Sequence, residues 1–150
     1  MKKISLLLCL FLFISCDNSD DLDCALISFA PQLFFIELVD DQGNNLIENG
    51  TYVREDIEVF FNDFNVGGAT GPEDTSFENL IFLTLMGESG DNEFRIELSD
   101  TETDILNLNL TVEPGICGVS IFTAVSATYN GEVQNIEEIV IELQKITVIK

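Results

Sequence analysis

Residues Glu93 to Val112 read EFRIELSDTETDILNLNLTV. In the first part Phe94, Ile96 and Leu98 alternate with Glu93, Arg95 and Glu97. In the last part Leu106, Leu108, Leu110 and Val112 alternate with Asn107, Asn109 and Thr111. Successive side chains of a strand point to opposite faces, so strict alternation predicts strands with one buried and one wet side. Ser99 to Asp104, rich in acids and threonine, predicts the turn between them. An isolated two-stranded hairpin is at best marginally stable in water, so these strands need more sheet around them.

The flanking chain supplies it. Leu33 to Val39 predicts a strand with Phe34, Ile36 and Leu38 on one face, and Phe35 and Val39 partly covering the other. Asp40 to Asn44 predicts a turn. Leu46 and Ile47 predict a short strand before the Asn49-Gly50 turn, and Ile57 to Phe61 predicts another strand. Asn62 to Ser76, with three glycines and Pro72, lacks periodicity and predicts a long loop suited to contact with a ligand. Phe77 to Met86 is almost continuously apolar, as in a central strand buried on both faces.

A turn over Gly87 to Asn92 leads into the opening stretch. Beyond it, Glu113 to Gly118 predicts a rigid loop. Val119 to Tyr129 predicts a long strand ended by Asn130-Gly131. Glu138 to Ile149 predicts one or two strands with Ile139, Ile141 and Leu143 on one face. Seven to nine short strands with frequent turns predict an all-β fold: a single immunoglobulin-like or transthyretin-like β-sandwich. The chain has no tryptophan, so the Cys…Trp…Cys core of antibody domains is absent.

The N-terminus has a different character. Met1-Lys2-Lys3 precedes an apolar run from Ile4 to Ile14, interrupted only by Ser5 and Cys9. Charge followed by a short apolar stretch is the layout of a secretory signal peptide. Its 11 residues would rise ~16 Å as a helix, short of a hydrocarbon core of ~30 Å.

Phe13-Ile14-Ser15-Cys16 resembles the lipobox of bacterial lipoproteins. The resemblance implies cleavage before Cys16 and several acyl chains on its thiol, a firm tether where one chain alone is marginal. Ser19-Asp20-Asp21, within Asp17 to Asp23, resembles the acidic export signal of Bacteroidota surface lipoproteins. On these residues alone, 1 to about 23, the chain resembles a small flavobacterial-type lipoprotein of unassigned activity. The expected organisation is a signal peptide over 1–15, a lipidated cysteine and acidic tether over 16–23, and a β-sandwich over 24–150. The implied location is the outer membrane, lipid-anchored, at the cell surface rather than the periplasmic face.

Loss of residues 1–15 removes Lys2 and Lys3, two of six basic residues, and none of the 27 acids, moving the formal charge from −21 to −23. Such a charge excludes nucleic acid as a partner, since phosphates repel it. With no histidine in the chain, Ser-His-Asp and Cys-His catalysis are excluded, as are histidine-containing zinc sites. Cys9 leaves with the signal and Cys16 carries lipid, which leaves Cys24 and Cys117 as an even pair in an oxidising compartment. They predict a disulfide, with two buried free thiols as the alternative.

Asp100, Glu102 and Asp104 alternate, and in extended chain they would gather on one side as weak calcium candidates. The spacing fails as an EF-hand, because Ile105 and Thr111 stand where glycine and an acid are needed. A solvated hairpin turn is the plainer reading, as it is for Asp40 to Asn44. Glu73-Asp74 adds two acids to the long loop. Tyr52 and Tyr129, beside turn signals, are the aromatics expected at the surface.

The function that fits is a non-enzymatic binding or accessory module, held to the membrane by Cys16, with an unknown protein or glycan ligand. No catalytic residue and no obligatory cofactor are expected. A carboxylate-dependent glycan hydrolase at the cell surface and a calcium-stabilised adhesion module are the alternatives.

Overall fold

The computed structural model describes residues 24–69, 77–140 and 143–150. Ten strands form in these residues: β1 (Leu33–Val39), β2 (Glu58–Phe61), β3 (Phe64–Gly68), β4 (Ile81–Thr84), β5 (Gly90–Ser99), β6 (Glu102–Pro114), β7 (Ser120–Tyr129), β8 (Glu132–Gln134), β9 (Glu137–Val140) and β10 (Leu143–Ile149). The all-β class is as expected, but the strands number ten rather than seven to nine. They join into one continuous curled sheet, in the order β8-β7-β6-β5-β2-β3-β4-β1-β10-β9. Its neighbours pair antiparallel except β1 and β10, which run parallel from Phe34 opposite Gln144 to Val39 opposite Ile149.

The alternation seen in the sequence sets the core. Phe94, Ile96 and Leu98 from β5 and Leu106, Leu108 and Leu110 from β6 are buried against Phe34, Ile36 and Leu38 of β1, with Ile81 and Leu83 of β4 and Ile146 of β10. Each fully buried side chain of this size is worth ~1.5–3 kcal/mol, so the inward set outweighs any single polar contact in holding the sheet curled. The other face of β1 is covered too, because Phe35 stacks on Phe77 with ring centroids 4.9 Å apart.

Four sequence expectations change. Leu46 and Ile47 form no strand; they are buried in turns after a single bridge between Val39 and Asn45. The expected strand over Phe77 to Met86 shortens to β4, since Phe77 to Asn79 is a turn and Asn79 has φ of 62°. The loop expected from Asn62 to Ser76 begins instead as a hairpin. Asn62 and Asp63 both take positive φ, the requirement of a tight two-residue turn, and β3 returns along β2. Residues 70–76, with Glu73-Asp74, lie outside the described residues.

The end of the chain also gains a strand. After Asn130-Gly131 the chain folds back as β8 onto β7. The final segment then divides into β9 and β10, so Ile139 and Leu143 sit on different strands; Ile141 lies outside the described residues. The rim strands β8 and β9 are separated in the chain only by Asn135 and Ile136.

Candidate functional site

β6 and β7 are joined through a short 3-10 turn over Ile116–Gly118. Cys117 lies within it at φ of 57° and forms the expected disulfide to Cys24, with Cα atoms 5.4 Å apart. The bond fixes the start of the described chain to this end of the sheet. From there, residues 27–32 lead into β1, and Gln32 is held by the N–H of Leu85, which donates to its carbonyl at 2.7 Å.

β7 is paired on both sides only near its end, where Ala127 to Tyr129 meet β8. A register shift opposite Asn109 and Leu110 lets the sheet bend there. From Ser120 to Ala124 the outer edge pairs with no strand among the described residues. Two glutamines answer it instead. The amide of Gln32 accepts from the N–H of Phe122 at 2.7 Å and donates to the carbonyl of Ser120 at 2.8 Å. The amide of Gln144, on β10, accepts from the N–H of Ala124 at 3.0 Å and donates to its carbonyl at 2.9 Å.

A cleft of about 580 Å³ opens along this seam. Phe29, Ile116, Val119, Ile121 and Phe122 give it apolar walls, and Glu138 adds a charge. Phe29, Ile116 and Ile121 are exposed, as are Val125 and Val133 further along β7 and β8. Exposed apolar side chains scattered singly need no explanation; here three of them, Phe29, Ile116 and Ile121, line one concave seam.

The calcium candidates are drawn into a different arrangement. Glu102 and Asp104 begin β6, whereas Asp100 stays exposed in the preceding turn. The Lys150 ammonium donates to both Glu102 and Asp104 and lies over the Tyr52 ring at 5.4 Å. Asp104 also accepts from the Tyr129 hydroxyl at 2.7 Å and from the Asn130 side chain at 2.8 Å. Burial works to raise the Asp104 carboxyl, but the hydrogen bonds from Lys150, Asn130 and Tyr129 hold it below the usual carboxylate range.

Burial alone would lower Lys150. Its bonds to Asp104, Glu102 and Tyr52 push it above the ordinary lysine value. Tyr129 is driven up, first by burial and then by its bond to Asp104. Tyr129 is therefore buried at 3% exposure, not at the surface as expected, and Tyr52 is half-buried. The exposed aromatics the sequence did not single out are Phe29, on the cleft, and Phe64, at 73%, beside the Asn62-Asp63 turn.

A second hollow, about 420 Å³, gathers Phe60, Phe61, Asp63, Asp91, Glu93 and Arg95. Arg95 lies over the Phe60 ring at 4.5 Å and pairs with Asp63 and Glu97. Asp91 accepts from Asn109 at 2.7 Å. All three hollow-lining carboxylates are exposed, so the hollow offers no buried carboxyl of the kind that works as a general acid. The Asp40 turn closes on itself, with its carboxylate accepting from the backbone of Gln42 and Asn44 at 2.9 and 2.8 Å.

The chain matches no protein-family model, no curated protein and no solved structure. Among the described residues no group of three or more His, Cys, Asp or Glu is arranged to hold a metal ion. Cys16 lies outside the described residues. Of the sequence-predicted residues, the fold brings together Cys24 with Cys117 and Glu102 with Asp104. Gln32 and Gln144 carried no signal, because a glutamine aimed at a strand edge leaves no pattern in the sequence.

Proposed function

We propose that the protein is a lipid-anchored envelope protein whose sheet domain is a binding or accessory module, with the seam along β7 as its contact surface. The observation that carries this is the apolar cleft at an edge without a strand neighbour, beside the disulfide where the N-terminal tether joins the domain. Cys16, with the signal-like run before it, supports attachment to the membrane through acyl chains, and the acidic tether supports display at the outer surface. A protein or glycan ligand then meets the module at the seam.

The experiment has two parts. The mass of the protein extracted from envelopes is expected to lack residues 1–15 and to include acyl groups on Cys16; an uncut or bare Cys16 removes the anchor. Crosslinking in intact cells is expected to capture partners with the native protein and to lose them when Ile116→Asp and Ile121→Asp are combined. Unchanged partners would remove the seam as the contact surface.

A further inference from the structure

The outward backbone groups of β7 between Ser120 and Ala124 are answered by side-chain amides, of Gln32 before β1 and of Gln144 on β10, rather than by the main chain of a paired strand. A glutamine amide offers one carbonyl and one N–H donor in a plane, as a peptide group does. Gln32 and Gln144 thus stand where the main chain of a neighbouring strand would stand.

We propose that this seam takes up an extended segment of another protein by strand addition to β7, and that the segment is apolar and bordered by lysine or arginine. The proposal rests on the reading of the cleft as the contact surface. Strand addition draws affinity from main-chain hydrogen bonds and selectivity from pockets for alternate side chains. Here the incoming peptide groups replace the two side-chain amides bond for bond, so the number of hydrogen bonds on β7 is conserved. Alternate side chains of the added strand then lie on the face of Phe122, which packs against the core, and the others on the face of exposed Ile121.

The geometry is close to what this needs. β7 and β10 approach within 8 Å between Cα atoms without pairing. Both edges of β10 are already paired, with β1 and with β9, so the added strand pairs with β7 alone; placed ~4.8 Å from β7, it needs the seam to open beyond its present spacing. What resists that widening locally is a pair of flexible side chains rather than a ladder.

Charge selects the occupant. Glu138 lines the cleft, and Glu113, Glu132 and Glu137 are exposed on the bordering strands β6, β8 and β9. The cleft has no basic residue among its lining, and Lys145 on β10 is engaged by Glu37. A second mature copy would bring the same charge of −23 and be repelled, whereas a cationic segment is attracted.

The test uses the full chain in mild detergent and a short synthetic peptide of alternating valine and threonine with lysine at both ends. Titration followed by amide NMR is expected to shift the Phe122 and Ala124 signals. A glutamate-ended peptide is expected to bind at least ~10-fold more weakly at low salt. The same lysine-ended peptide, methylated on alternate backbone nitrogens, is expected to lose binding by a similar factor.

Equal binding of the methylated peptide overturns strand addition while leaving an apolar contact surface in place. Absence of binding by the lysine-ended peptide overturns it as well. A stable dimer by light scattering, with β7 amides protected from exchange before any peptide is added, makes a second copy the occupant and overturns the basic partner. The contact-surface reading is decided separately by the Ile116→Asp and Ile121→Asp crosslinking, which needs no peptide.

Discussion

Replacing Lys150 with methionine removes one ammonium from a site where two carboxylates and two tyrosines converge. The Asp104 side chain is 7% exposed and that of Lys150 17%, while Glu102 is 42% exposed and well screened. Stripping a partner from a fully buried pair costs ~3–5 kcal/mol, and an exposed pair is worth ~0–1 kcal/mol. Asp104 keeps its bonds from Tyr129 and Asn130 in the variant, so the expected loss lies between these limits, at ~2–4 kcal/mol. For a domain of this size that is about 10 °C in Tm.

Combining Lys150→Met with Asp104→Asn removes the unpaired charge. The double variant is therefore expected to be ~2 kcal/mol more stable than the sum of the single losses implies. The pH dependence has a fixed sign. Asp104 is depressed in the fold, so its stabilisation is complete above the ordinary carboxylate value of 3.8 and is lost as pH falls through the folded value. Lys150 is raised, so its share persists below 10.5 and is lost only at more alkaline pH. Urea unfolding of the four proteins at neutral pH and below pH 4 measures the coupling and the acid loss. A single-variant loss under ~0.5 kcal/mol, with no coupling to Asp104, refutes the reasoning.

Four further outcomes are expected. Serine at both Cys24 and Cys117 releases a loop closed over a separation of 93 residues, which in the chain-entropy model costs ~4–5 kcal/mol; a guanidinium midpoint that barely moves would contradict it. Alanine at Gly67 would place a Cβ 2.0 Å from the Phe82 carbonyl oxygen and 2.8 Å from the Leu83 Cα, both backbone atoms that cannot step aside. It is expected to prevent β3 from pairing with β4, seen as lost exchange protection there. Alanine at Gly43, in open space at φ of +83°, should cost only ~1–2 kcal/mol. Tyr129→Phe withdraws a hydroxyl from buried Asp104 and is expected to lower stability by ~1–2 kcal/mol, read as a drop in Tm.

Local pattern carried the strand faces well. The buried apolar residues of β5 and β6 are those the alternation picked out, with Val112 half-buried, because burial of one face leaves its period in the sequence; buried Asn92 and Asp104 had read as turn residues. It failed where structure depends on partners far along the chain. β3 holds only Phe64 and Val66 as large apolar residues, and its glycines, of which Gly67 lets β3 lie close to β4 and Gly68 lies against the Ile57 backbone, read locally as loop. β8 is three residues long and exists because Asn130-Gly131 returns the chain onto β7. The joining of the two ends through β1 and β10, and the meeting of Lys150 with Asp104 across 46 positions, are long-range contacts that no periodicity encodes. At the seam, the pairing of Cys24 with Cys117 was foreseeable from cysteine number, but the glutamine bridges were not.

The parallel ladder between β1 and β10 bears on how the molecule comes into being. A chain emerging from its N-terminus makes β1 early and must wait about a hundred residues for the strand that covers one of its sides. Until then Phe34, Ile36 and Leu38 sit on a ribbon with an open margin, the situation in which sticky intermediates accumulate. Closure over so long a separation is also slow, since loop entropy is spent before the contact is gained. Assembly should therefore finish in a late step, and any factor that shields nascent chains would have its main task in that interval.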